Sequence, residues 1–200
     1  MSRERGAALI GAVLLAAALA IVAGAVGWFA LVGSQTAAAA RDHAEVVAAA
    51  DAGLEIAAGA LAGEPDLAAV RLGAAAGPVG TGSLATADGP IDVATLTRRL
   101  DERRRRLSPP ADVAVWRPYL WGLLSELAPG LPRPAGRDPL VVVWVRSDDA
   151  EAAGVDRLEV AVEAVGPSGA RAGAVAAIGC GPRGVTILAV APDAGIAGPS

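Results

Sequence analysis

The sequence predicts an α+β fold, with a long N-terminal helix, half membrane-spanning and half amphipathic, packed on a C-terminal antiparallel sheet. Three observations carry this. No charged side chain occurs from Gly6 to Ala40. Apolar residues then recur at spacings of three and four as far as Leu61, with no Pro before Pro65. From Leu140 onward, short apolar or alternating runs are separated by Gly/Pro turns.

The first segment opens with the charged residues Arg3, Glu4 and Arg5, then Gly6, and becomes apolar at once. Its apolar heart, 7–32, is about 26 residues long, and roughly 20 suffice to cross the hydrocarbon core as a helix. A single segment satisfies its own backbone in lipid only as a helix. Arg3 and Arg5 before the span predict a cytoplasmic N-terminus, with the rest of the chain beyond the membrane. Trp28 and Gln35 fall toward the far interface. A cleaved secretory signal ending in the small residues Ala37 to Ala40 is the competing reading. Its apolar region would be about twice the usual 7–15 residues. An unprocessed signal anchor is the other.

The helical pattern continues past the span. Val47, Ala50, Leu54, Ala57 and Leu61 form a predicted buried stripe, with Asp42, Glu45 and Glu55 on other faces. One helix over 7–62 would be roughly 80 Å long at 1.5 Å per residue.

The order of these features resembles the N-terminal region of type IV pilins, and of the PilX-type minor pilins in particular. The residues that carry the likeness are R-E-R-G-A-A-L-I-G-A-V-L-L-A at the start and A-A-A-D-A-G-L-E-I-A-A-G-A-L over 48–61. V-W-R-P-Y-L-W-G-L-L (115–124), V-V-V-W-V-R-S-D-D (141–149) and G-P-S-G-A-R (166–171) add to it. The resemblance implies a leader, 1–6, cut by a prepilin peptidase between Gly6 and Ala7, and methylation of the new amine on Ala7. It implies a transmembrane helix over 7–33 and an amphipathic continuation over 34–62. The implied partners are other pilins through the N-terminal helix, the peptidase, an inner-membrane assembly platform and the lipid bilayer. The implied location is the inner membrane, single pass, with possible incorporation in a surface filament. Major pilins carry Glu at the fifth mature position, which here is Gly11. Its loss removes a charge-assisted contact within lipid, where partners are scarce, and points to a minor subunit that helps initiate or cap a filament. The alternatives are a type II secretion pseudopilin and a membrane-anchored adhesin or other binding module.

The remaining chain reads as an irregular or helical connection over 63–137, a sheet over 138–191 and a disordered tail over 192–200. Within the connection, 64–90 reads as irregular. A helix is expected over 91–107, with Val93, Leu96, Leu100 and Leu107 on one face and a stop at Ser108-Pro109-Pro110. Leu140 to Val145 reads as a buried strand. Leu158, Val160, Val162 and Ala164 should face one way, Glu159 and Glu163 the other. Returns over 170–178 and 185–190 complete a meander that needs the long helix to bury one face.

Composition narrows the chemistry. All 17 basic residues are Arg, and the formal charge is −4. One Cys, Cys180, and one His, His43, leave little material for a metal site or a nucleophile–base pair. The reading is therefore non-enzymatic, with no cofactor. Arg98, Arg99 and Arg103 to Arg106 form a basic cluster that attracts phosphates in principle. Asp101 and Glu102 interrupt it and no aromatic platform flanks it, so nucleic acid is not expected and a solvated helix end is. Asp148, Asp149, Glu151 and Asp156 could hold calcium, but lack EF-hand spacing, and a polar turn is the plainer reading. Trp116, Tyr119 and Trp121 are expected to anchor a core or interface.

Overall fold

A computed structural model describes residues 2–107, 115–130, 138–147, 156–181 and 184–192. Helix α1 runs over Ser2–Ala62, followed by α2 (Leu67–Leu72), strands β1 (Ser83–Thr86) and β2 (Gly89–Asp92), and α3 (Val93–Leu107). Strand β3 (Arg117–Leu123), the short α4 (Leu124–Leu127), β4 (Leu140–Ser147), β5 (Asp156–Val165), β6 (Arg171–Gly181) and β7 (Gly184–Pro192) follow. The chain divides into two compact units, Met1–Arg41 and Asp42–Ser200.

In the first unit, every side chain described from Leu14 to Arg41 is exposed, including Leu15, Ile21, Trp28 and Phe29. An apolar surface that size is costly in water and natural in lipid. By length and composition α1 is able to cross a membrane. Two of its hydroxyls are satisfied within the helix: Ser34 donates to the Leu31 carbonyl at 2.8 Å and Thr36 to the Val32 carbonyl at 2.9 Å.

The second unit is built on five antiparallel strands in chain order, β3-β4-β5-β6-β7. The amphipathic end of α1 packs on one face through Val46, Ala49, Ala50, Leu54, Ala57 and Leu61. They meet Val141, Val143 and Val145 of β4 and Leu158, Val160 and Val162 of β5. The approach is close because Gly53 has no side chain: a Cβ there would lie 2.6 Å from Val141 Cγ1 and 3.0 Å from Val162 Cγ1. Leu54 is buried as expected, at 6% exposure. The expected stripe is corrected at its first member, since Val47 is 39% exposed and Val46 takes its place at 2%. The two valines are equally apolar. Gly53 decides between them by turning the helix so that 46, 50, 53 and 57 face the sheet.

The opposite face is covered as well. Leu140, Val142 and Trp144 of β4 and Ala161 and Val165 of β5 pack under Leu96 and Leu100 of α3 and Ile91 of β2. Alternate residues of β4 thus enter different cores, which is why its sequence is apolar throughout. The sheet packs one face on α1 as expected and is covered on the other as well, so it is the middle of three layers.

The stretch 64–90, expected to be irregular, holds a helix and a hairpin. The Asp66 carboxylate caps α2 by accepting from the Ala69 N–H at 3.0 Å. β1 and β2 pair around Ala87-Asp88, and the Asp88-Gly89 pair is a turn signal that short four-residue strands made easy to overlook. Ile91 and Asp92 belong to β2 rather than to the following helix. The sheet also begins earlier than 138, at β3. Pro118 and Gly122 hide that strand in the sequence. A register shift at Tyr119 lets Tyr119 and Leu120 both enter the α1-side core, while Trp116 and Trp121 serve the other. The segment 77–80 runs along the free edge of β3. Gly77 N–H donates to the Tyr119 carbonyl at 2.8 Å and Gly80 N–H to the Trp121 carbonyl at 2.7 Å. At the other edge β7 has Ile187, Leu188 and Val190 exposed.

Candidate functional site

The residues on which a leader reading rests, Gly6, Ala7 and Gly11, all lie within the span of α1, and their side chains fall outside the described residues. The helical segment therefore begins upstream of the expected cut. The described part of the segment contains Gly24, Gly27 and Gly33, with nothing within 4 Å of a Cβ built at any of them. Small residues on an apolar helix let another helix approach closely. The segment is, by length and composition, able to cross a membrane, and its described glycines leave room along it.

The second candidate is the α3 face of the sheet, where charge is gathered. Val93 N–H donates to the Gly82 carbonyl, and Asp92 Oδ1 accepts from the Thr95 N–H at 2.6 Å, starting α3. That hydrogen bond and the Thr95 hydroxyl hold the Asp92 carboxyl below its usual range, with Arg98 assisting. Leu96 and Leu100 seat α3 on β4. Trp144 Nε1–H donates to the Thr97 hydroxyl at 2.8 Å, and that hydroxyl donates to the Val93 carbonyl.

Glu163 of β5 lies on this face and is fully buried. The sequence reading placed it on the polar side of its strand, which holds, but that side is roofed by α3. Arg171 of β6 reaches its Oε1 at 3.5 Å, and Arg103 of α3 reaches its Oε2 at 4.0 Å. Burial holds the Arg171 guanidinium below its ordinary value, against the pull of Glu163. Removing one member of such a set leaves an uncompensated buried charge. Next along the face, Arg146 pairs with Glu159 across β4 and β5 and stacks 5.0 Å from the Trp116 ring. The basic cluster is thus divided: Arg103 is tied to the sheet, while Arg98, Arg99, Arg105 and Arg106 are exposed.

The remaining sequence candidates separate from this face. His43 is exposed on α1. Cys180 is on β6, with its side chain outside the described residues. Asp148, Asp149 and Glu151 also lie outside the described residues, and Asp156 is described as backbone only. Among the described residues no group of three metal-ligating side chains converges. A cleft between α1 and the β5–β6 turn is lined by Asp42, Glu45, Val46, Pro139, Gly166, Pro167 and Ser168.

No protein-family model, curated protein or solved structure matches the chain.

Proposed function

We propose that this chain is a membrane-anchored assembly subunit of the type IV pilin class, a minor pilin of the PilX type. The observation that carries the reading is the division of α1. Its first unit exposes apolar side chains all round, and its continuation uses Val46, Ala50, Leu54 and Ala57 to seat on an antiparallel sheet. That arrangement suits a subunit that waits in a bilayer and is withdrawn into a helix-packed filament. In this reading the leader ends at Gly6, Ala7 carries the methylated amine, and Gly11 replaces the carboxylate that would pair with a neighbour's amine. The subunit then pairs in one direction only, which suits initiation or capping. The role is structural, without catalysis or cofactor, and the N-terminus is cytoplasmic with the second unit beyond the inner membrane.

Mass spectrometry of the protein from membranes tests this. A mature N-terminus at Ala7, methylated, is expected, with Gly6→Trp retaining the leader. An N-terminus near Ala40 would overturn the reading.

A further inference from the structure

The α3 face of the sheet is only partly roofed. Gly173, Val175 and Ala177 of β6 point to the same side as Glu163, Ala161 and Glu159, their register partners, and each stays partly exposed. Beyond them on β7, Ala191 and Ala189 pair with Val175 and Ala177 and are exposed. The result is a shelf of small side chains. Arg99 and Arg106 of α3 are exposed, with Arg171 of β6 beside the shelf's first residue.

The chain carries a counterpart. Between Arg41 and Arg71 there are six acidic side chains and no Arg. On the side of α1 turned away from the sheet, Ala44, Ala48, Asp51 and Glu55 are exposed. This outer face is small and acidic where the shelf is small and basic. The same helix already packs closely on the other side of the sheet through Ala49, Ala50 and Gly53, so small side chains suffice for a helix on this sheet.

We propose that the shelf beside α3 receives the outer face of α1 from a second copy of this chain, with Asp51 and Glu55 against the exposed Arg99 and Arg106. Complementary charge selects partner and register. The two surfaces lie on opposite sides of one sheet and cannot meet within a molecule. The contact is therefore heterologous, the helix of one copy against the shelf of the next. The inference goes beyond the proposed function: Gly11 there limits addition through the N-terminal helix, whereas this contact lies wholly within the second unit.

The test uses the full chain in membranes, with a photo-crosslinking amino acid at Ala48 and isotopically light and heavy copies mixed. Light–heavy adducts mapping to 171–177 or 189–191 are expected. Arg99→Glu with Arg106→Glu should lower their yield about tenfold, as should Asp51→Arg with Glu55→Arg, and combining both pairs should restore it. Absence of intermolecular adducts, adducts confined to 14–40 of the neighbour or to a different protein, or failure of the double exchange to restore yield would overturn the proposal. A chain that is cut after Gly6 yet gives none of these adducts refutes the contact and leaves the pilin reading standing; the reverse outcome refutes the reading alone.

Discussion

Trp144 and Thr97 are joined by a 2.8 Å hydrogen bond that ties the centre of the sheet to the middle of α3. The indole is fully buried and so depends on that hydroxyl. Thr97→Val keeps the shape and strands the indole N–H, at an expected cost of about 1–3 kcal/mol in denaturant unfolding. Thr97→Ser should recover most of it.

Gly53 invites a test in which helix propensity and packing oppose each other. In an exposed helix Gly→Ala stabilises by about 1 kcal/mol. Here the added methyl meets Val141 Cγ1, so Gly53→Ala should destabilise instead. Pairing it with Val141→Ala should return part of the loss. Additive effects in the two-mutant cycle would show that the contact is not the cause.

Leu54→Asp should cost several kcal/mol, because it sets a carboxylate among Val141, Val162 and their neighbours. Val47→Asp, two turns away and 39% exposed, should be tolerated. Thermal unfolding of the two variants side by side distinguishes the observed stripe from the one the sequence suggested.

Glu126 fastens the segment along the β3 edge. It accepts from the Thr81 hydroxyl at 2.6 Å, the Thr81 N–H at 2.7 Å and the Leu123 N–H at 3.0 Å. These bonds, the Thr81 hydroxyl first, hold its carboxyl below the usual value. A lowered folded value means the stabilisation is present above the unfolded carboxylate range and lost as pH falls through the folded one. Glu126→Gln should therefore weaken protection of the Gly80 amide at neutral pH. By hydrogen exchange, its difference from the unaltered protein should shrink in acid.

Gly11 governs abundance under the proposed function. The protein should be rare in sheared filaments, and its deletion should reduce filament number more than length. Gly11→Glu should admit it to the shaft. Quantitative proteomics that finds it as the dominant subunit would remove the minor-subunit assignment.

Much of the α1-side architecture was legible because periodicity reports one buried face well. Leu54, Leu158 and Val162 were placed correctly from spacing alone. What stayed hidden was the second layer. Glu163 reads as a solvent-facing residue in any single strand, and its burial is made tolerable by residues far from it in sequence, among them Arg103, 60 residues upstream, and Arg171, eight downstream. Strand β3 was obscured by its Pro and Gly, and the hairpin by strands of four residues. On the α3 face, Arg103 and Arg106 look alike in a run of like residues, although one is committed to the sheet and the other is exposed.

The order of the strands has a consequence for how the second unit is made. Each strand of the sheet lies beside its successor in sequence, so the sheet can zip hairpin by hairpin through local contacts. The seat of α1 cannot. Gly53 must wait roughly a hundred residues for Val162, and closing so long a loop is an entropic cost met only when β4 and β5 exist. During synthesis the apolar stripe from Val46 to Leu61 is therefore bare for longer than any other part of that core. Docking of the helix therefore has to follow formation of β4 and β5, and the interval before it leaves the stripe open to capture by a chaperone or by another unfinished copy.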